Sequence, residues 1–220
     1  MKDIQAFIFD MDGLLLDTEG VYKRSWTEAA RLLGFDLSDE IYLLLIGITV
    51  ADAEIRLVEV FGSQFPIDEF RKDAKSRYEA IVETEGIPLK PGVREMLEWA
   101  RQQNIPCAVA TSTVSGEARD RLAKHDILKE FRGLVGGEMV SKGKPNPDIF
   151  LSAARLLGID PTLCLVFEDA HSGVRAARAA NMPVLLIPDM LPSTPEIEQL
   201  ATHVSKSLVD ARIWLAEKYL

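Results

Sequence analysis

Apolar and polar residues alternate along this chain in two distinct patterns. Short, nearly continuous apolar runs, which are typical of strands buried on both faces of a sheet, lie at 4–9, 106–111, 163–167 and 183–187. Patterns with a helical period lie between and after these runs, at 93–103, 115–125, 147–157, 172–180 and 208–219. Gly133, Gly158 and Asn181 stand where the preceding helices are expected to end. The alternation predicts an α/β fold in which helices cover a parallel sheet.

One long segment interrupts this alternation directly after the first strand. Residues 17–85 contain no convincing strand, and helix-period patterns occur instead at 21–33, 52–61 and 69–82. A Pro- and Gly-containing stretch follows at 86–92 and is typical of a linker. We therefore expect a core domain made of residues 1–16 and 86–220, with an inserted all-helical domain at 17–85.

The composition limits the classes of partner. The 220 residues carry 25 Lys and Arg against 34 Asp and Glu, a net charge of −9, and no stretch concentrates the basic residues. Such a chain would be repelled by nucleic acid and by anionic lipid. No apolar run approaches the roughly 20 residues that cross a bilayer, and the first residues do not have the pattern of a signal peptide. The composition predicts a cytoplasmic protein that acts on a small molecule.

Two cysteines bear on the cellular compartment. Cys107 and Cys164 both lie in strand-like apolar runs. A disulfide between them is arithmetically possible, but buried free thiols in a reducing compartment are the favoured interpretation.

Acidic side chains follow two of the predicted strands. Asp10 and Asp12 come after the first apolar run, and Glu168 and Asp169 come after the run at 163–167. Ligands of open parallel sheets bind outside the carboxyl ends of the strands, so we expect these carboxylates to converge. Adjacent carboxylates repel each other in a dry crevice and need a counter-charge. Mg²⁺ is the natural candidate, because it binds one or two carboxylates and leaves room for a substrate phosphate.

Hydrogen-bond donors are expected at the same edge. Thr111 and Ser112 follow the second strand, and Lys144 precedes a predicted helix. The Thr111 hydroxyl, the Ser112 amide and the Lys144 ammonium would together hold the oxygens of a phosphoryl group.

Four segments carry a family resemblance. Phe-Asp-Met-Asp-Gly at 9–13, Ala-Thr-Ser-Thr at 110–113, Gly-Lys-Pro-Asn-Pro-Asp at 143–148 and Phe-Glu-Asp-Ala-His-Ser-Gly at 167–173 resemble, in order and spacing, the four motifs of the haloacid-dehalogenase-like (HAD) superfamily. The insertion resembles the α-helical cap of phosphoglycolate phosphatases, β-phosphoglucomutases and pseudouridine- or sugar-phosphate phosphatases. The resemblance implies a Rossmann-like core with a separate helical cap.

The resemblance also implies roles for the acidic residues. Asp10 would attack phosphorus and form an aspartyl-phosphate, and Asp12 would act as general acid and then general base. Mg²⁺ would be held by a carboxylate oxygen of Asp10, the backbone carbonyl of Asp12 and the carboxylate of Asp169. Glu168 would be a further metal ligand, direct or through water. The dehalogenases generally lack the second Asp and the metal, so Asp12 and Asp169 argue against dehalogenation.

The cap is expected to select the substrate, because it covers the leaving group and excludes water. Its residues expected to contact substrate are Thr18, Glu19, Tyr22 and Thr49. β-Phosphoglucomutases usually carry His where Tyr22 stands and Arg where Val50 stands, so the sequence favours a hydrolase over a mutase.

The predicted function is a Mg²⁺-dependent phosphatase that hydrolyses a small phosphorylated metabolite, a sugar phosphate or a nucleoside-type monophosphate. The alternatives are a phosphomutase of the β-phosphoglucomutase type and a non-catalytic binding module. A small-molecule phosphate ester is the expected partner, and the chain is expected to be a monomer.

Overall fold

The computed structural model describes residues 4–46 and 50–219. The chain divides into two compact units, which we call the core unit (Met1–Leu16 and Leu89–Leu220) and the helical unit (Asp17–Pro88). The second boundary of the helical unit thus lies three residues after the position expected from the sequence, residue 85.

A six-stranded parallel sheet forms the centre of the core unit. Its strands are β1 (Ala6–Phe9), β2 (Cys107–Ala110), β3 (Phe131–Val135), β4 (Cys164–Glu168), β5 (Val184–Leu186) and β6 (His203–Val204). The strand order is β3-β2-β1-β4-β5-β6, and each neighbouring pair is parallel. The predicted α/β, Rossmann-like fold is confirmed. The chain turns from one side of β1 to the other between β3 and β4, which places the switch point of the sheet at the carboxyl end of β1.

Two of these strands are absent from the sequence prediction. Strand β3 contains the exposed Arg132 and the half-buried Gly133, so it has no continuous apolar run. Gly133, predicted to end a helix, therefore lies inside an edge strand instead. Strand β6 has only two residues, which is too short for a periodic signal.

Helices make up most of the remaining described chain. They are α1 (Thr18–Leu32), α2 (Asp39–Leu43), α3 (Val50–Phe61), α4 (Ile67–Thr84), α5 (Val93–Gln102), α6 (Ser115–Ala123), α7 (Asp148–Leu157), α8 (His171–Ala179), α9 (Pro195–Leu200) and α10 (Leu208–Tyr219). Short 3-10 turns lie at Leu128–Glu130, Gly137–Met139 and Pro161–Leu163. The five-residue α2 and the six-residue α9 were not predicted. None of the helices within the described ranges has the length and apolar character needed to cross a membrane.

Both faces of the sheet are packed. On one face the ring of Phe9 stacks on Phe167 at 4.4 Å between centroids, and Phe7 stacks on Trp99 of α5 at 6.0 Å. The opposite face, which includes Ile8, packs against α7 and α8. Each large side chain buried in this way contributes about 1.5–3 kcal/mol. The carboxyl ends of the central strands are therefore held on a rigid base.

The helical unit has its own apolar core. Helices α1 and α4 pack against each other, and Trp26 of α1 meets Phe70 of α4 edge to face at 5.3 Å between centroids. Phe35 and Phe65 form a second edge-to-face pair at 4.8 Å. Aromatic pairs of this kind add about 0.5–1.5 kcal/mol beyond the area they bury.

Both cysteines are buried free thiols, as predicted. Burial raises the pKa of the Cys107 thiol to about 12 and that of Cys164 to about 11, with smaller contributions from Glu130 and Asp160 respectively.

Candidate active site

Three adjacent strands bring the predicted site residues to one edge of the sheet. Asp10 follows β1, Thr111 follows β2, and Glu168 is the last residue of β4. The Asp10 amide donates to the carbonyl of Phe167 at 3.0 Å, so the pairing of β1 with β4 continues into the site. Regular strand pairing thus fixes the backbone beneath these side chains.

Lys144 links two of the carboxylates. Its Nζ donates to Oδ1 of Asp10 and to Oε1 of Glu168, each at 2.5 Å. The side chains of Lys144, Asp10 and Glu168 are only 7%, 8% and 1% exposed. The second carboxylate oxygen of Glu168 accepts the Ala170 amide at 3.0 Å, and Nζ lies 5.0 Å from the centroid of the Phe150 ring. The ammonium is therefore held in one place between two buried acids.

The carboxylates of Asp10, Glu168 and Asp169 form a group suited to a metal ion. Each offers one oxygen, and these oxygens all lie within 4.8 Å of one another. An all-oxygen donor set is the kind that hard cations such as Mg²⁺ prefer. Three carboxylates against the Lys144 ammonium also leave a surplus of negative charge that a divalent ion would balance. The residues present therefore fit a divalent cation.

Two glycines give the acidic group its space. A Cβ atom on Gly13 would overlap the carboxylate of Asp169, and one on Gly173 would overlap the carboxylate of Glu168. Gly13 also has a φ of +82°, a conformation that other residues rarely adopt.

Burial dominates the electrostatics of the site. It raises the pKa of Asp10 to about 7; the Lys144 charge opposes this rise, and Glu168 and Asp12 reinforce it. Burial, followed by the charges of Glu168 and Asp10, likewise holds the pKa of Asp169 well above its usual range. For Lys144, burial works against the charge, but the two carboxylates outweigh it and raise the ammonium pKa. The site thus favours additional positive charge.

Asp12 has a different set of partners. Its Oδ1 accepts from Nη1 of Arg121 at 2.9 Å, and its Oδ2 accepts from the hydroxyls of Thr113 at 2.7 Å and Thr111 at 3.2 Å. Sequence reasoning missed Arg121 and did not assign Thr113. Thr113 lies in the quoted segment 110–113, whereas the only signal for Arg121 was its spacing of four residues from Glu117 on a predicted helix.

Ser112, the last of the site residues predicted in the core unit, is exposed and lies beside Thr111. A further ion pair lies near Gly13, between Lys90 Nζ and Oδ1 of Asp189 at 2.5 Å. A Cβ on Gly13 would stand 3.3 Å from the other oxygen of Asp189.

The helical unit contains a cavity of about 210 Å³ that two of the predicted cap residues line. Glu19 and Tyr22 are among its lining residues, and the hydroxyl of Tyr42 lies 3.4 Å from Oε2 of Glu19. Thr18 is buried, at 3% exposure, and does not line this cavity. Thr49 lies outside the described residues.

Comparison with known proteins adds independent information. Residues 4–181 match the model of the haloacid dehalogenase-like hydrolases. The chain is 34% identical, over 179 residues, to a phosphorylated carbohydrates phosphatase of Thermotoga maritima, a match that covers 81% of this chain and 82% of that protein. It is 30% identical, over 193 residues, to hexitol phosphatase B of Escherichia coli K12, with 85% of each chain covered.

A solved structure agrees over almost the whole chain. The crystal structure of a HAD family hydrolase from Deinococcus radiodurans R1, with bound phosphate and sodium, superposes with a TM-score of 0.87 and 26% sequence identity. The match covers 99% of this chain and 97% of the other. Sequence match, relatives and fold agree: the chain belongs to the haloacid dehalogenase-like hydrolases.

Proposed function

We propose that this enzyme, a phosphoric monoester hydrolase, releases inorganic phosphate from a small sugar or polyol phosphate through an aspartyl-phosphate on Asp10. The observation that carries the proposal is the meeting of three carboxylates, from Asp10, Glu168 and Asp169, whose oxygens lie within 4.8 Å. Asp10 is also bound by a buried ammonium, that of Lys144. A nucleophile, a cation-binding group and a fixed positive charge are the parts that phosphoryl transfer needs.

The first half-reaction begins at Asp10. Its carboxylate attacks phosphorus, and the bond between phosphorus and the oxygen of the leaving alcohol breaks. Lys144 holds Oδ1 of Asp10 at 2.5 Å, which restrains the nucleophile, and its charge faces the developing charge on the phosphoryl oxygens. Mg²⁺, held by Asp10, Asp169, Glu168 and the backbone carbonyl of Asp12, would neutralise phosphoryl charge and orient the ester. The hydroxyl of Thr111 and the amide of Ser112 are further candidates to bind the phosphoryl group.

Asp12 moves the protons. It gives a proton to the departing alkoxide as the first bond breaks, and it takes one from the water that attacks the aspartyl-phosphate. Asp12 is a better candidate for this role than the other acids, because its side chain is 31% exposed and makes no part of the three-carboxylate group.

Two observations support the class of substrate. The relatives described above are named for phosphorylated carbohydrates and for hexitols. The cavity of the helical unit offers the Glu19 carboxylate and the Tyr42 hydroxyl, and such groups hydrogen-bond the hydroxyls of a sugar or polyol. We propose that this cavity binds hydroxyl groups of a sugar or polyol.

A phosphate-release screen tests the proposal. Purified protein is assayed with Mg²⁺, and with excess EDTA, on hexose and hexitol phosphates, nucleoside monophosphates and phosphoglycolate, beside Asp10→Asn as the matched variant. We expect release that EDTA abolishes, that Mg²⁺ restores, and that the variant lacks. Conversion of hexose 1-phosphate to the 6-phosphate without net phosphate release would establish a mutase instead. Equal activity of the Asp10→Asn variant would remove Asp10 as the nucleophile.

A further inference from the structure

Asp12 is held on both of its carboxylate oxygens by side chains from the segment that follows β2. Arg121 donates to Oδ1 at 2.9 Å, while the hydroxyls of Thr113 and Thr111 donate to Oδ2 at 2.7 and 3.2 Å. The Arg121 side chain is 13% exposed and that of Asp12 is 31% exposed, so the arginine end of this ion pair is largely shielded from water while the carboxylate keeps contact with it. Three donors on two oxygens fix the orientation of a carboxylate better than a single exposed ion pair does.

The guanidinium of Arg121 is itself fixed. Its Nη2 donates to Oε1 of Glu117 at 2.5 Å, one helical turn earlier on α6. The planar fork of arginine therefore spans two acids, one on its own helix and one at the site. Because α6 begins soon after the Thr111 segment, the helix carries Arg121 to the same edge of the sheet as the end of β2.

The two oxygens of Asp12 consequently face different kinds of partner. An arginine side chain only donates, so the oxygen that it contacts must stay an acceptor. A threonine hydroxyl both donates and accepts, so the oxygen that faces Thr111 and Thr113 can gain or lose a proton without losing its hydrogen bonds.

We propose that Arg121 is a positioning residue for Asp12, fixing Oδ1 as an acceptor so that Oδ2 is the oxygen that exchanges the proton. This inference rests on the proposed function. In the first half-reaction the proton leaves Oδ2 for the alkoxide as the phosphorus–oxygen bond breaks. In the second, a water oxygen bonds to phosphorus, the water proton moves to Oδ2, and the bond between Asp10 and phosphorus breaks.

Two substrates with different leaving groups separate positioning from a merely structural role. The nitrophenolate of p-nitrophenyl phosphate departs without a proton, whereas the alkoxide of a hexitol phosphate needs one. For Arg121→Met we expect kcat/KM on the hexitol phosphate to fall at least tenfold more than kcat/KM on p-nitrophenyl phosphate. Arg121→Lys, which keeps a donor without the fork, should recover part of that difference. Arg119→Met, an exposed arginine on the same helix, is the matched control and should change neither value.

A binding measurement completes the test. Calorimetric affinity for beryllofluoride with Mg²⁺ reports on the groups around Asp10 and should be unchanged in Arg121→Met. Equal losses on the two substrates, or a loss of beryllofluoride affinity, would overturn the positioning role and leave the proposed function intact. If the wild-type protein hydrolyses neither ester, the proposed function fails and the positioning role falls with it.

Discussion

Replacement of Lys144 by methionine tests the electrostatic balance of the site most directly. Methionine keeps most of the side-chain volume and removes the ammonium that bonds Asp10 and Glu168 at 2.5 Å each. All three side chains are at least nine-tenths buried, so the two carboxylates would lose their counter-charge without gaining water. Breaking a buried ion pair in this way costs about 3–5 kcal/mol. For a chain of this size we therefore expect the melting temperature to fall by roughly 6–20 °C.

The loss of stability in Lys144→Met should depend on pH in a defined direction. Burial raises the pKa of Asp10 to about 7 while Lys144 opposes the rise, so removing Lys144 moves this pKa further upward. A raised carboxyl pKa means that the folded state binds a proton that the unfolded state has lost, so stability falls as pH rises through that range. The variant can therefore keep Asp10 protonated and neutral at pH 6. Above pH 7 its stability should fall increasingly, because Asp10 ionises without a counter-charge. The Lys144 ammonium of the wild type, with its raised pKa, stays charged throughout.

The assay is thermal unfolding of metal-free protein at pH 6 and pH 8.5, with phosphate release measured in parallel. The matched control is Lys142→Met, an exposed lysine two residues away, which should change stability by no more than about 0.5 kcal/mol. Activity of Lys144→Met should fall by at least about 10²-fold, the usual loss for one buried donor to a developing charge. A Lys144→Met protein that melts like Lys142→Met at pH 8.5 would refute the charge argument.

Three further outcomes follow from other features of the core unit. Gly173→Ala should lower the stability of the protein by about 1–3 kcal/mol and reduce turnover, because its Cβ would overlap the Glu168 carboxylate. Gly116→Ala, on a helix with open space around it, should do neither, and equal melting temperatures of the two variants would contradict this. Affinity for Mg²⁺ should rise by about tenfold or more per pH unit towards pH 7, because the cation must displace the protons that the raised pKa values of Asp10 and Asp169 retain. Calorimetry in two buffers should detect the released protons. Since burial raises the pKa of Cys107 to about 12, both cysteines should resist a thiol reagent at pH 8 until the protein is denatured, and rapid labelling of native protein would count against the buried sheet.

The sheet could be predicted where its strands are buried on both faces. Strands β1, β2, β4 and β5 each read as a continuous apolar run, which is why their side-chain pattern was visible without a structure. Strand β3 could not be found in this way, because Arg132 is exposed and Gly133 has no side chain to pack. Its place in the sheet is decided by pairing with β2 rather than by its own pattern.

The candidate site divides in a similar way. Residues attached to strand ends, such as Asp10, Thr111 and Asp169, could be brought together from the sequence because parallel strands end at one edge. The contact between Asp12 and Arg121 could not be predicted from the sequence. Arg121 reaches Asp12 through a long side chain, and the direction of that side chain depends on how α6 is rotated against the sheet. Rotation of that kind is set by packing and leaves little trace in local spacing.

The charges of the site separate into two groups with different net values. Asp10, Glu168 and Asp169 share Lys144, which leaves negative charge in excess, whereas Asp12 and Arg121 form a pair of equal and opposite charges. A divalent cation and a phosphoryl group would therefore change the electrostatic potential mainly around the three carboxylates that carry the excess negative charge. The proposed acid and base pairs with Arg121 rather than with Lys144, so the net charge of its pair alternates between zero, when Asp12 is ionised, and one positive charge, when Asp12 holds the proton. This separation is the physical reason why we propose proton transfer for Asp12 alone among the four carboxylates at this edge of the sheet.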